Sequence, residues 1–245
     1  MGLFDRSASK IADRTTLLLP ASPGDVLMDT VRPYDPSVRS WQARLVFANG
    51  VLLHGPVAVT PKLEQQAGLP PGMAVAYYTG VAIASHRGRR AHDSVQGDAD
   101  LLVAALADRF GGVVKWAGPP PEPDLAFSVW GEADVRADQV LEIVRAYDDG
   151  KHRVEDRTDY SYSISGDGGY LQVSYWSPQI FIASDAPAAL GELPKAPLPH
   201  WDLTVGRPRK DVAADVAARA RQAALALAGR CRGTALDEYG FPLSP

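Results

Sequence analysis

Residues 85–93, SHRGRRAHD, gather the densest set of anion-gripping groups in the chain: His86, Arg87, Arg89, Arg90 and His92, with Gly88 between the arginines. Guanidinium groups present forked N–H donors that match the paired oxygens of a phosphate or carboxylate, and a helix N-terminus nearby adds partial positive charge. The chemistry implied is capture of a small anionic ligand by an enzyme or a sensor. The same arginines are the only basic footprint for nucleic acid in an otherwise acidic chain. No aromatic residues flank them for base stacking, so nucleic acid is the weaker reading. Solvation of an exposed loop tip accounts for these charges without any ligand.

Two further stretches hold groups capable of chemistry. Between 148 and 159, Asp148, Asp149, Glu155, Asp156 and Asp159 supply carboxylates and His152 a general base. The regular oxygen spacing of a calcium loop is absent, and Lys151, Arg153 and Arg157 alternate with the acids as a solvated edge strand requires. The third set is aromatic: Trp130, Tyr160, Tyr162, Tyr170, Tyr175, Trp176 and Trp201. Alternation sets Tyr170 and Trp176 on the strand face opposite Tyr175, which makes that pair the candidate interaction surface. Ordinary core packing competes with that reading.

Other chemistries lack their signatures. There is no Walker loop, and GDGG at 166–169 lies between two alternating segments, where it reads as a hairpin turn. The histidines at 54, 86, 92, 152 and 200 and the single Cys231 show no zinc spacing, and no G-x-S-x-G elbow occurs. His54 reads as a surface histidine of a hairpin strand. Cys231 sits between Arg230 and Arg232, which would lower its pKa in a reactive thiol; a bystander thiol is the simpler reading. No metal or cofactor is called for.

The elements that position these groups follow from periodicity. From Asp98 to Gly118, Leu102, Val103, Leu106 and Phe110 make one face of a helix, Gly111 and Gly112 stop it, and Val113, Val114 and Trp116 form a strand. The 85–93 loop therefore joins that helix to a long strand, Ala74–Ser85. One face of this strand is small (Ala74, Ala76, Gly80, Ala82, Ala84) and should receive either the Asp98 helix or the alanine-rich helix near the C-terminus. Upstream, Thr15–Leu19 is a weak strand and 21–40 a long surface connection. Trp41, Ala43, Leu45 and Phe47 pair across Asn49-Gly50 with Val51, Leu53, Val57 and Val59 as a hairpin. Pro61–Ala67 forms a short helix capped by Thr60.

Beyond 123 come a strand of Leu125, Phe127 and Val129, a helix over Asp134–Asp149, and paired strands of Tyr160, Tyr162, Ile164 and Leu171, Val173, Tyr175. Ile180 and Ile182 prolong the pattern past Pro178, and a proline-rich linker, 187–199, follows. A strand of Trp201, Leu203 and Val205 leads to a helix from Pro208 to Gly229, with Val212, Val216, Ala223 and Leu227 on one stripe. Thr234–Phe241 supplies an edge strand.

The expected organisation is a tail and connection over 1–40, an α/β half over 41–118, a stiff boundary at 119–123 (PPPEP) and a second half over 124–245. The fold class is α+β. The second half follows the split βαβ plan of ferredoxin-like domains with one strand added, and the first is a degenerate copy of it. At 245 residues, 46% hydrophobic and net charge −4, the chain buries a core and has no overall attraction for nucleic acid or anionic lipid. One cysteine excludes an internal disulfide and suits a reducing compartment, and no run approaches the roughly 18 apolar residues of a span. The expected location is cytoplasmic. Leu3, Phe4 and Ile11 share one face of a short terminal helix, for a membrane or partner, or simply docked. The leading functional expectation is a non-catalytic binding protein whose partner is another protein or a second copy of itself.

Overall fold

The computed structural model describes residues 3–82, 89–178, 187–190 and 198–244; side chains at 3–7, 89–94 and 188 lie outside that description. The protein is α+β, with two antiparallel sheets of six strands. The chain divides into two compact units, Met1–Pro121 and Glu122–Pro245, and the division falls inside PPPEP.

The first unit runs α1 (Leu3–Ala12), β1 (Thr16–Leu19), α2 (Val26–Val31), β2 (Arg39–Ser40), β3 (Arg44–Val46), β4 (Val51–Ala58), α3 (Pro61–Ala67), β5 (Val75–Val81), α4 (Arg89–Phe110) and β6 (Val113–Lys115). Its sheet order is β2-β3-β4-β5-β1-β6. β1 is buried along its whole length, between β5 and β6, which is why Thr-Leu-Leu-Leu shows no polar alternation. Leu18 and Ala76 join Ala8, Ile11, Leu63 and Ala67 in a cluster formed with α1 and α3. Leu17, Leu19 and Tyr77 are buried on the opposite face, where α4 packs along β5 and β1. The small face of β5 thus receives the two short helices, and the long helix takes the other.

The second unit runs β7 (Asp124–Trp130), α5 (Ala137–Tyr147), β8 (Lys151–Glu155), β9 (Ser161–Asp167), β10 (Gln172–Trp176), β11 (His200–Pro208), α6 (Ala214–Cys231) and β12 (Thr234–Leu236), in the order β12-β7-β11-β10-β9-β8. Counted from the N-terminal end of each unit, both sheets read 2-3-4-5-1-6. In each, one helix connects strands 1 and 2 and another connects strands 5 and 6. The core lies on one face of the second sheet, where Phe127, Val129, Val173, Ile164, Trp201 and Leu203 meet Val140 and Val144 of α5 and Ala220, Ala223, Ala224 and Leu227 of α6. Alanines along α6 let its backbone approach the strands closely.

Several boundaries differ from the periodic reading. α4 starts at Arg89 rather than Asp98: Gly97 costs a helix interior about 1 kcal/mol against Ala but does not stop it, and Val95 continues the apolar stripe at four-residue spacing to Ala99. Trp41 leaves the hairpin pattern because Gln42 and Ala43 take positive φ, so β3 begins only at Arg44. α2, with Leu27 and Val31 buried, and the edge strand β2 interrupt the expected 21–40 connection. β8 is the edge strand that the alternation of Lys151 and Arg153 with acids requires, and it adds one strand to the expected split βαβ plan. α6 opens only at Ala214, because β11 and a short 3-10 turn occupy 200–211. Ile180 and Ile182 lie outside the described residues.

Candidate functional site

Because α5 and α6 share one face of the second sheet, every alternate strand residue points to the face that carries neither of them. Register sets Trp130, His200, Trp176 and Ser161 side by side across four strands. The next row is Ser128, Asp202, Ser174, Ser163 and Glu155 across five. His200 stacks on Trp130 with centroids 4.1 Å apart and planes 15° apart. Its Nε2 lies 2.9 Å from Asp202 Oδ1, the same oxygen that accepts a hydrogen bond from Ser128 Oγ at 3.0 Å. Trp176 is 39% exposed at the end of the first row. At the sheet edge Glu155 accepts from Ser165 Oγ and Arg153 Nε, both at 2.7 Å.

Serine, histidine and aspartate together invite a nucleophilic reading, but the wiring is wrong for it. In a proton-relay triad the base touches the nucleophile. Here Ser128 and His200 both address the carboxylate, so His200 is not placed to take the serine proton. The group instead forms a polar layer in which Trp130 and His200 are buried, the Asp202 carboxylate is half-buried, and the Trp176 indole is exposed at the rim; it is arranged for recognition rather than proton relay. Nothing in the residue types alone marked Ser128, His200 and Asp202. Their one signal is that His200 and Asp202 flank Trp201 on a strand whose core face is Trp201, Leu203 and Val205.

The described residues among those singled out by sequence fall as follows. His86 and Arg87 lie outside the described residues, whereas Arg89, Arg90 and His92 fall in the first turns of α4 rather than in a loop before it. Tyr170 and Trp176 do not share a surface. Tyr170 precedes β10, its hydroxyl donates to Tyr147 O at 2.6 Å, and Arg219 covers its ring at 5.2 Å, so it packs against the helices. Tyr162 and Tyr175 stack at 4.7 Å inside the core, and burial, then Asp134, pushes the Tyr175 phenol up to about 12.

His152 is a structural keystone. It is buried with Asp148, Nε2 to Oδ2 at 3.1 Å, and its ring nitrogens also face Gly150 O at 2.8 Å and Leu171 O at 3.2 Å. Both nitrogens are engaged, which leaves none to act as a base toward a substrate.

Cys231 is fully buried, and burial pushes its thiol up to about 11; the flanking arginines do not make it reactive. Since the thiolate is the nucleophile, native protein at pH 8 should resist alkylation, and labelling should appear only when the second unit opens in denaturant. Mass spectrometry after timed iodoacetamide exposure checks this; rapid native labelling would contradict it.

Among the described residues no group of three or more His, Cys, Asp or Glu could hold a metal ion, and no helix is long and apolar enough to cross a membrane. Neither a protein family, a characterised protein nor a solved structure matches the chain.

Proposed function

We propose that this chain is a protein-interaction protein whose second unit receives a helix of a partner polypeptide on the sheet face opposite α5 and α6. One observation supports this above all. The two sheets share a strand order, yet in the first unit the face away from the crossover helix is covered by α1 and α3, while its counterpart in the second unit carries neither α5 nor α6 and leaves Trp176 exposed and Asp202 half-buried. Ser128, Ser163 and Ser174 are small enough for a helix backbone to come close. Asp202 would attract a lysine or arginine of the partner, and Trp176 supplies an apolar anchor at the rim.

Kinship of the second unit with ferredoxin-like domains belongs to this proposal. β11–α6–β12 encloses β7 as a split βαβ unit does, although a run of four strands, β8 to β11, replaces the usual pair. The shared strand order supports reading the first unit as a degenerate copy, and a single buried thiol suits a cytoplasmic setting. A small anionic ligand at residues 86–92 is the second reading, favoured by Arg89, Arg90 and His92 opening a long helix.

A photoreactive benzophenone side chain placed at Ser174 tests the main proposal in the cells that make the protein. Irradiation should yield one defined polypeptide adduct, and Asp202→Asn together with Trp176→Ala should abolish it while circular dichroism stays unchanged. No adduct, or an adduct indifferent to both substitutions, would overturn it.

A further inference from the structure

On the first sheet, positive charge collects with no counter-ion among the described residues. Register sets Arg44 opposite His54 and His54 opposite Tyr78, so the three side chains lie abreast on β3, β4 and β5, on the face where α1 docks. The C-terminal end of α1 is tied to this face: Lys115 Nζ donates to Ala12 O at 2.6 Å, Thr16 Oγ1 donates to Arg14 O at 3.0 Å, and Ile11 is fully buried. That anchoring brings Arg14 up to the row and Lys10 within electrostatic reach of His54.

Arg14 Nη1 donates to Thr79 O at 3.2 Å, and its guanidinium lies 5.8 Å from the Tyr78 ring. The His54 ring stacks on Tyr78 at 4.9 Å, with planes 8° apart. His54 Nε2 and Arg14 Nη1 lie 2.8 and 3.2 Å from where a Cβ on Gly80 would stand, so both reach the same spot above a residue with no side chain. Arg44 lies over the exposed Trp41 ring at 4.0 Å, and its Nε is buried without a hydrogen-bond partner. Burial, then Arg14, Arg44 and Lys10, hold the His54 ring below its ordinary pKa; every one of these influences has the same sign, and no carboxylate is among them.

We propose that Lys10, Arg14, Arg44 and His54 form a binding site for a phosphate group, free or carried by a small phosphomonoester. A dianion matches two guanidinium groups and an ammonium better than a carboxylate does, and it relieves the mutual repulsion of the three cations. The site uses no residue of the second unit and does not draw on Arg87, Arg89 or Arg90.

The test is a titration of the full chain with inorganic phosphate, and separately with 5′-AMP, at constant ionic strength set by chloride, following the His54 ring by NMR. Saturable shifts of His54 are expected, with the ring moving toward its protonated form. Arg14→Gln with Arg44→Gln should weaken binding at least tenfold. Because Arg14 also bonds to Thr79, the exposed Lys10→Gln is a second variant that should weaken binding severalfold with the fold intact. Tighter binding of 5′-AMP assigns the ester as the source, and equal binding assigns free phosphate. Shifts that chloride reproduces, or that survive all three substitutions, would overturn the site.

Discussion

Replacing Asp148 by alanine should cost the second unit about 3–5 kcal/mol, the penalty for removing a buried carboxylate and leaving the groups that bond to it unanswered. Asp148 is 3% exposed and His152 1%. The Asp148 carboxylate ends α5 and reaches across to the β9–β10 turn, where Oδ2 accepts from Tyr170 N at 2.8 Å and Leu171 N at 2.7 Å while facing His152 Nε2. One side chain thus joins helix, edge strand and hairpin. The cavity walls are glycine: a Cβ on Gly169 would lie 2.6 Å from His152 Nε2 and 2.9 Å from Asp148 Oδ2, so Gly169→Ala should be damaging through the same contact. Asp148→Asn, which keeps one acceptor oxygen, should fall between. Urea unfolding followed by circular dichroism measures all three, and an Asp148→Ala loss below about 1 kcal/mol would show that the knot is dispensable.

Much of this architecture is legible in periodic residues. α5, the β3–β4 hairpin, the β9–β10 pair and the edge strand β12 follow from alternation, helical spacing and glycine stops. What escapes is whatever depends on partners distant in sequence. β2 is two residues and α2 six, too short to show a period, and that hid the common strand order of the two units. His152 and Asp148 sit within a charged run that reads as solvated, and only the glycines at 150, 166 and 169 hint that backbones crowd together there. His54 reads as an isolated surface histidine because Arg14, Tyr78 and Arg44 reach it through register and through the docking of α1. The polar face of the second unit mixes serines, which carry little hydropathy signal, with Trp130, His200 and Asp202, which only register brings together.

Trp201→Ala should destabilise the second unit by about 3–5 kcal/mol, as truncation of a fully buried aromatic does. Trp201 is wholly inaccessible, packs 5.2 Å from the Tyr175 ring, and donates from Nε1 to Tyr162 Oη at 3.0 Å; Tyr162 Oη in turn donates to Val135 O at 3.4 Å. The truncation therefore opens a cavity and removes the donor that satisfies a buried phenol. Trp201→Phe keeps one six-membered ring in place but loses the pyrrole portion with its N–H, so it leaves a smaller cavity than Ala and its cost should be nearer 1–2 kcal/mol. Equal losses for Phe and Ala would place the energy in the hydrogen bond rather than in packing. Trp201 and Asp202 are neighbours on β11 but point to opposite faces, which sets up a double dissociation. Trp201→Phe should lower the unfolding midpoint and leave the Ser174 photo-adduct intact, whereas Asp202→Asn should abolish the adduct at nearly unchanged stability. If both substitutions moved both readouts together, the two faces of the strand would not be separable, and the polar face would be part of the fold rather than a surface for a partner.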